Sequence, residues 1–198
     1  MHRPHLPQNR IEKDLIISFF ILLFLYSIIH NPIVRPKLNQ TNDGNWKIEK
    51  MQHPLVFGFA GHNYLVLRSP DNNIVAELHG LATDQVSNTW KYVGSKATDL
   101  LKVWEFNGPR NYLAEKEYPG IVVSSGPEVT VENLWKKAEV CKDMINKKII
   151  YYPKYGINLN GETENSNSVA YTLLACMGID SKHLGLMTPG DGVNLLAQ

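Results

Sequence analysis

The sequence predicts an α+β fold, an antiparallel sheet with packed helices, preceded by one N-terminal transmembrane helix. Three observations predict it. Leu15 to Ile29 is apolar and carries no charge. Two β-rich runs, Gly61 to Arg68 and Asn73 to Gly80, flank the turn signal Ser69-Pro70-Asp71-Asn72. Two later stretches repeat apolar residues at spacings of three and four, the period of a helix with one buried face.

Residues 1–14 form a polar tail with Arg3, Arg10 and Lys13. The apolar block that follows is roughly 22 Å long as a helix, and extending it through Val34 brings it close to the ~30 Å hydrocarbon core. A secretory signal peptide has the same charged start and apolar middle, but no small-residue cleavage site lies between Ser27 and Val34. Residues 15–34 therefore read as an uncleaved single-pass membrane anchor. Arg35 and Lys37 follow the block about as closely as Arg10 and Lys13 precede it, and the positive-inside rule leans toward an N-terminus inside. That orientation puts the C-terminal domain outside the cytoplasm, on the periplasmic side of a bacterial inner membrane.

Residues 35–50 read as a linker rich in Asn, Gln and Thr, and the folded domain is expected over 51–198. At 198 residues with net charge +1 and interspersed acids and bases, the chain has no basic stripe for nucleic acid. No motif calls for a metal or a cofactor. Cys141 and Cys176 have neither metal-ligand spacing nor the density of a disulfide scaffold, and read as buried thiols on helices.

Within the domain, Leu55 to Phe59 is a strand candidate leading into the hairpin. A four-residue loop, Ser69 to Asn72, sets Arg68 opposite Asn73 and His62 opposite His79. Period-two alternation puts Leu65, Leu67, Ile74, Ala76 and Leu78 on one face and His62, Tyr64, Val66, Val75, Glu77 and His79 on the other. One imidazole can then orient its neighbour, or both can be solvated residues at strand ends. Thr89 to Val93, Lys102 to Phe106 and Gly120 to Ser125 are further strand candidates. Thr130 is placed to cap a helix over Val131 to Lys147 that buries Leu134, Ala138, Cys141 and Ile145. Tyr151 to Gly156 cannot continue it. A second helix buries Val169, Leu173, Cys176 and Met177 and stops at Gly178, after the polar run Asn165-Ser166-Asn167-Ser168.

A strand that opens with His, a hairpin, a polar residue on the next strand and a polar motif at a later helix start form a recognisable order. It resembles the circularly permuted NlpC/P60 group of the papain-like superfamily, which includes the lecithin retinol acyltransferase-like proteins. That group carries a motif of the form Asn-Cys-Glu-His-Phe-Val at a helix N-terminus, and Asn165 to Ala170 matches it with Ser166 where Cys stands. The Asn-Ser-Asn-Ser run is similar to uncharacterised bacterial domain families of the same superfamily. The resemblance spans Leu55 to Gly178.

It implies Ser166 as nucleophile at a helix N-terminus, His62 as general base and His79 as the group that orients it. Asn165, Asn167 and Tyr64 become candidate substrate-binding residues. Ser in place of Cys leaves either a serine hydrolase on a papain-like frame or a domain without catalysis. Cys176 cannot substitute, lying roughly 15 Å along the helix. The resemblance thus implies a membrane-anchored hydrolase or acyl-transfer enzyme acting on amide or ester bonds of cell-wall peptide or lipid. Its rival is a non-catalytic peptide- or lipid-binding module on the same fold. Asn and Ser are also preferred helix caps, so the motif has a purely structural use as well.

Overall fold

The computed structural model describes residues 44–55, 60–108, 118–158 and 162–197. All of them belong to the compact unit Pro36–Gln198. The polar tail 1–14, the anchor 15–34 and the candidate strand residues Val56 to Phe59 lie outside the described residues. Among the described residues no helix is long and apolar enough to cross a membrane.

The chain forms strands β1 (Trp46–Leu55), β2 (Ala60–Arg68), β3 (Ile74–Thr83), β4 (Trp90–Lys91), β5 (Leu100–Asn107) and β6 (Gly120–Gly126). Helices α1 (Glu128–Lys147) and α2 (Ser166–Met177) follow. The sheet runs β4-β3-β2-β1-β6, with β5 also on β3, and every named pairing is antiparallel. The expected α+β architecture is present. β1 starts at Trp46, inside the stretch read as linker, because Trp46, Ile48 and Met51 have a sheet face to fill.

Ile48, Leu65, Leu67, Ala76, Leu78, Leu101 and Val103 face the helices and form the main core with Val131, Trp135, Ala138, Ile145, Val169, Leu173 and Met177. The other face carries a smaller cluster of Met51, Tyr64 and Val66. Helix α1 begins at Glu128 with Pro127 in the N-cap position and no side-chain cap. The expected cap Thr130 is therefore already helical, since its N–H and that of Val131 both donate to the Pro127 carbonyl. Proline suits such a start because it has no N–H to leave unpaired.

The hairpin departs from the expected register. Its loop is Ser69 to Asn73, one residue longer than expected, and Arg68 faces Ile74. Val75 is then an extra residue opposite the Leu67/Arg68 step, a bulge that moves the pairing by one more. Ile74 consequently packs with Tyr64 and Val66, and Val75 with the helix-side core, the reverse of the expected faces. Beyond the bulge, Tyr64 pairs His79 and Leu65 pairs Leu78. Two single-residue shifts restore the original parity, so His62 and His79 share a face without standing opposite one another.

β2 and β3 part at Tyr64/His79. Ala82 and Thr83 pair β4 on the side of β3 that β2 has left, because β5 holds the other side throughout. The open side of β2 is filled from elsewhere. Gly61 N–H donates to the Met187 carbonyl at 2.9 Å, and Asn63 N–H donates to Asn167 Oδ1 at 2.9 Å. The start of α2 is thus wedged into the gap between the two histidine-bearing strands.

The cysteines correct the expectation of free thiols. Cys141 on α1 and Cys176 on α2 form a disulfide, with Cα atoms 6.6 Å apart and a sequence separation of 35. It ties α1 to the helix that opens with Ser166.

Candidate active site

The site grows from the parity of β2 and β3. His62 Nε2 lies 3.1 Å from His79 Nδ1, and His79 Nε2 lies 2.9 Å from Glu77 Oε2. All three side chains are buried. Glu77 joins His79 because residues two apart on a strand share a face, and it was not among the residues expected to form the site. The rings of His62 and His79 are nearly parallel at 5.4 Å, Tyr64 stacks on His79 at 4.4 Å, and Tyr92 meets His62 edge-on at 6.0 Å.

Burial is the main force on both imidazoles. His62 is held well below the ordinary histidine value by burial and by the neighbouring His79 and His53. His79 is pushed down to about 3 by burial, with His53 adding to it. Both histidines are therefore neutral at neutral pH, and the His79–Glu77 contact is a hydrogen bond from a neutral imidazole rather than an ion pair. His62 Nδ1, at the far end of the chain, is buried and has no hydrogen-bond partner among the described residues.

Ser166 is the first residue of α2, placed by its neighbours. Asn165 caps the helix, its Oδ1 accepting from Asn167 N–H at 2.8 Å and Ser168 N–H at 3.4 Å, while Ser168 Oγ accepts from Asn165 N–H at 3.1 Å. Asn165 Nδ2 donates to the carbonyls of Gly156 and Pro189, which leaves the side chain no spare donor. Asn167 divides its amide between Asn63 N–H and the Pro189 carbonyl. The two asparagines fasten the helix start to β2 and to the C-terminal tail, and Tyr64 is a buried wall behind the histidines. Burial, and next Glu77, push the Tyr64 phenol far up, so it stays neutral.

Gly80 sets how closely α2 approaches. A Cβ there would lie 2.7 Å from Val169 Cβ and 2.9 Å from Ser166 Cα. Ser166 consequently sits directly on β3 beside His79 in sequence, and its neighbour Asn167 bonds to β2 beside His62. The Ser166 hydroxyl itself is not bonded to His62. The side chain and backbone N–H of Ser166 instead lie close enough to the Tyr152 phenol to work against the upward push of burial on that group. The amide of Val169 goes to the Asn165 carbonyl at 3.1 Å, so among the amides of the first turn Ser166 N–H alone is not committed to the cap or the helix. Tyr152 had no place among the expected site residues, because nothing in Tyr151-Tyr152-Pro153 signals that the second ring turns inward.

Among the described residues no group of three or more His, Cys, Asp or Glu is arranged to hold a metal. A surface groove of about 560 Å³, lined by Lys148 to Tyr151, Asn158, Glu164 and Leu195, flanks the segment carrying Tyr152 and does not reach Ser166. No family model, curated protein or solved structure matches this chain.

Proposed function

We propose that the domain is a hydrolase or acyl-transfer enzyme acting on amide or ester bonds, with Ser166 as nucleophile and His62 as its base. One observation carries the reading: a buried chain Glu77–His79–His62 ends on a nitrogen with no partner, one strand position from the contact that holds the start of α2. A buried polar atom left unsatisfied is costly and asks for a use. With Glu77 ionised, His79 Nε2–H donates to the carboxylate, so His79 Nδ1 accepts and His62 Nε2–H donates to it. His62 Nδ1 is then a lone pair. It takes the Ser166 proton as Oγ attacks the acyl carbon, and returns it to the leaving amine or alcohol when the acyl bond breaks. Water, or another acceptor, then frees the acyl group by the same route.

The resemblance to permuted NlpC/P60 proteins supports this assignment and suggests cell-wall peptide or lipid acyl groups as substrates. A disulfide between α1 and α2 favours an oxidising compartment, consistent with a membrane-anchored domain outside the cytoplasm. In this reading the Tyr152 ring, which lies beside Ser166, must make room for the acyl group before reaction.

The second reading, a non-catalytic binding module, is favoured by that same Tyr152 contact and by the burial of Ser166. A broad serine-reactive phosphonate separates them. The enzyme reading expects one adduct on the wild-type chain, lost in Ser166→Ala with the melting temperature within a few degrees. A wild-type chain that takes no label, with Ser166→Ala costing about 1 kcal/mol as a lost packing and hydrogen-bonding group, supports the module.

A further inference from the structure

We propose that Asn63 supplies the side-chain donor for the oxyanion formed at Ser166, through its Nδ2. The inference rests on Ser166 being the nucleophile and adds a residue that neither the motif nor the histidine chain points to. It starts from the amides of α2. The capping box consumes those of Asn167 and Ser168, the Asn165 carbonyl takes that of Val169, and only the Ser166 N–H, beside the Tyr152 phenol, is left uncommitted. One amide is a thin oxyanion site, since such sites pair two or more donors on the oxygen. A second donor has to come from a side chain.

Asn63 is buried beside that turn. It lies on the helix face of β2, in phase with Leu65 and Leu67, and its backbone N–H bonds to Asn167, the residue after Ser166. The hydrogen-bond network also fixes which way its amide points. Leu186 N–H donates to Gln52 Oε1 at 3.1 Å, so the other end of the Gln52 amide is Nε2. That Nε2 donates to Asn63 Oδ1 at 3.0 Å, which leaves Asn63 Nδ2 facing away from Gln52. Nδ2 is buried and has no hydrogen-bond partner among the described residues. Gly61 protects this arrangement, because a Cβ there would fall 2.6 Å from the Gln52 side chain. A donor held in one orientation by two successive amides, at the first turn of the helix that carries the nucleophile, suits a carbonyl oxygen gaining negative charge. No proton is transferred by Asn63; it only donates to the oxygen while the charge lasts.

The test measures the rate of Ser166 labelling by the phosphonate on the full-length chain, whose P=O oxygen gains charge as a carbonyl would. Asn63→Leu removes the donor at similar volume, and Asn63→Asp keeps the shape but presents a carboxylate. Both are expected to slow labelling by about 10²–10³-fold, the usual cost of one oxyanion donor. In Asn63→Asp the deficit should narrow as pH falls, because the protonated carboxyl regains an O–H donor. A packing role alone would lower melting temperature without that recovery. Labelling of either folded variant within threefold of wild type overturns the assignment of Asn63 while leaving Ser166 in place. A wild-type chain that never labels overturns both.

Discussion

His62 Nε2 and His79 Nδ1 are 3.1 Å apart although the register sets Tyr64, not His62, opposite His79. The contact is diagonal across the pair of strands, at the point where they begin to separate. A diagonal pair lets His79 turn its second nitrogen along its own strand to Glu77 and still hold His62. The carboxylate thereby acts on a ring it does not touch.

Glu77→Gln tests that action at a distance. The new amide can donate to His79 Nε2, which would reverse both tautomers and protonate His62 Nδ1. Labelling of Ser166 should fall at least about 10²-fold, the lower range for loss of a general base. Unchanged labelling would remove Glu77 from the chain.

The histidines also predict an acid limit to stability. Their folded pKa values lie below the unfolded value near 6.5, so the unfolded chain binds more protons at acid pH. Their contribution is complete above about pH 6.5 and is lost as pH falls toward the value of about 3 for His79. Denaturant melts between pH 7 and pH 4 should show stability falling by up to ~1.4 kcal/mol per pH unit for each histidine. Glu77→Gln should keep most of this slope, since burial is its main cause. A flat profile over that interval would mean that the two rings are solvated.

Gly80→Ala should be among the most damaging small substitutions in the chain. Its methyl would meet the Val169 side chain and the Ser166 backbone, and the latter cannot give way without moving α2. Overpacking of this kind costs about 1–3 kcal/mol. Thermal melting reads the loss; a variant as stable as wild type would show that α2 does not rest on β3.

Reduction should loosen the same helix from its other end. The disulfide spans 35 residues and joins the two helices of the core, so its removal is expected to cost about 2–4 kcal/mol. Cys141→Ala with Cys176→Ala should melt lower than wild type, and dithiothreitol should lower wild type toward the double variant. Equal melting with and without reductant would contradict the pairing.

The sequence made the shared face of His62 and His79 legible, because parity survives any even shift. It did not show the diagonal. A longer loop and the Val75 bulge each move the pairing by one residue, and neither has a signal stronger than the Pro-Asp-Asn turn itself. The residues between the two shifts suffered most, with Ile74 and Val75 exchanging faces. The sequence puts Glu77 on the correct face, but a carboxylate among strand residues has many surface uses and does not by itself mark a site. The helix-capping use of Asn165 and Ser168 was plain from their type, whereas the Tyr152–Ser166 contact and the Cys141–Cys176 bond depend on how separate segments fold together. Thr130 misled because a good capping residue three positions downstream of a proline competes with a start at the proline itself.

The proposed chemistry depends most on the protonation of His62, which ¹⁵N NMR of ring-labelled full-length protein reads without any substrate. It predicts a proton on Nε2 and a bare Nδ1 from pH 8 down to pH 5, in a ring that stays neutral throughout because burial holds its pKa well below the ordinary value. A proton on Nδ1, or a His62 ring that charges between pH 7 and 6, would contradict it: the chain from Glu77 would then end in a donor or a solvated imidazole, and not in a base for Ser166.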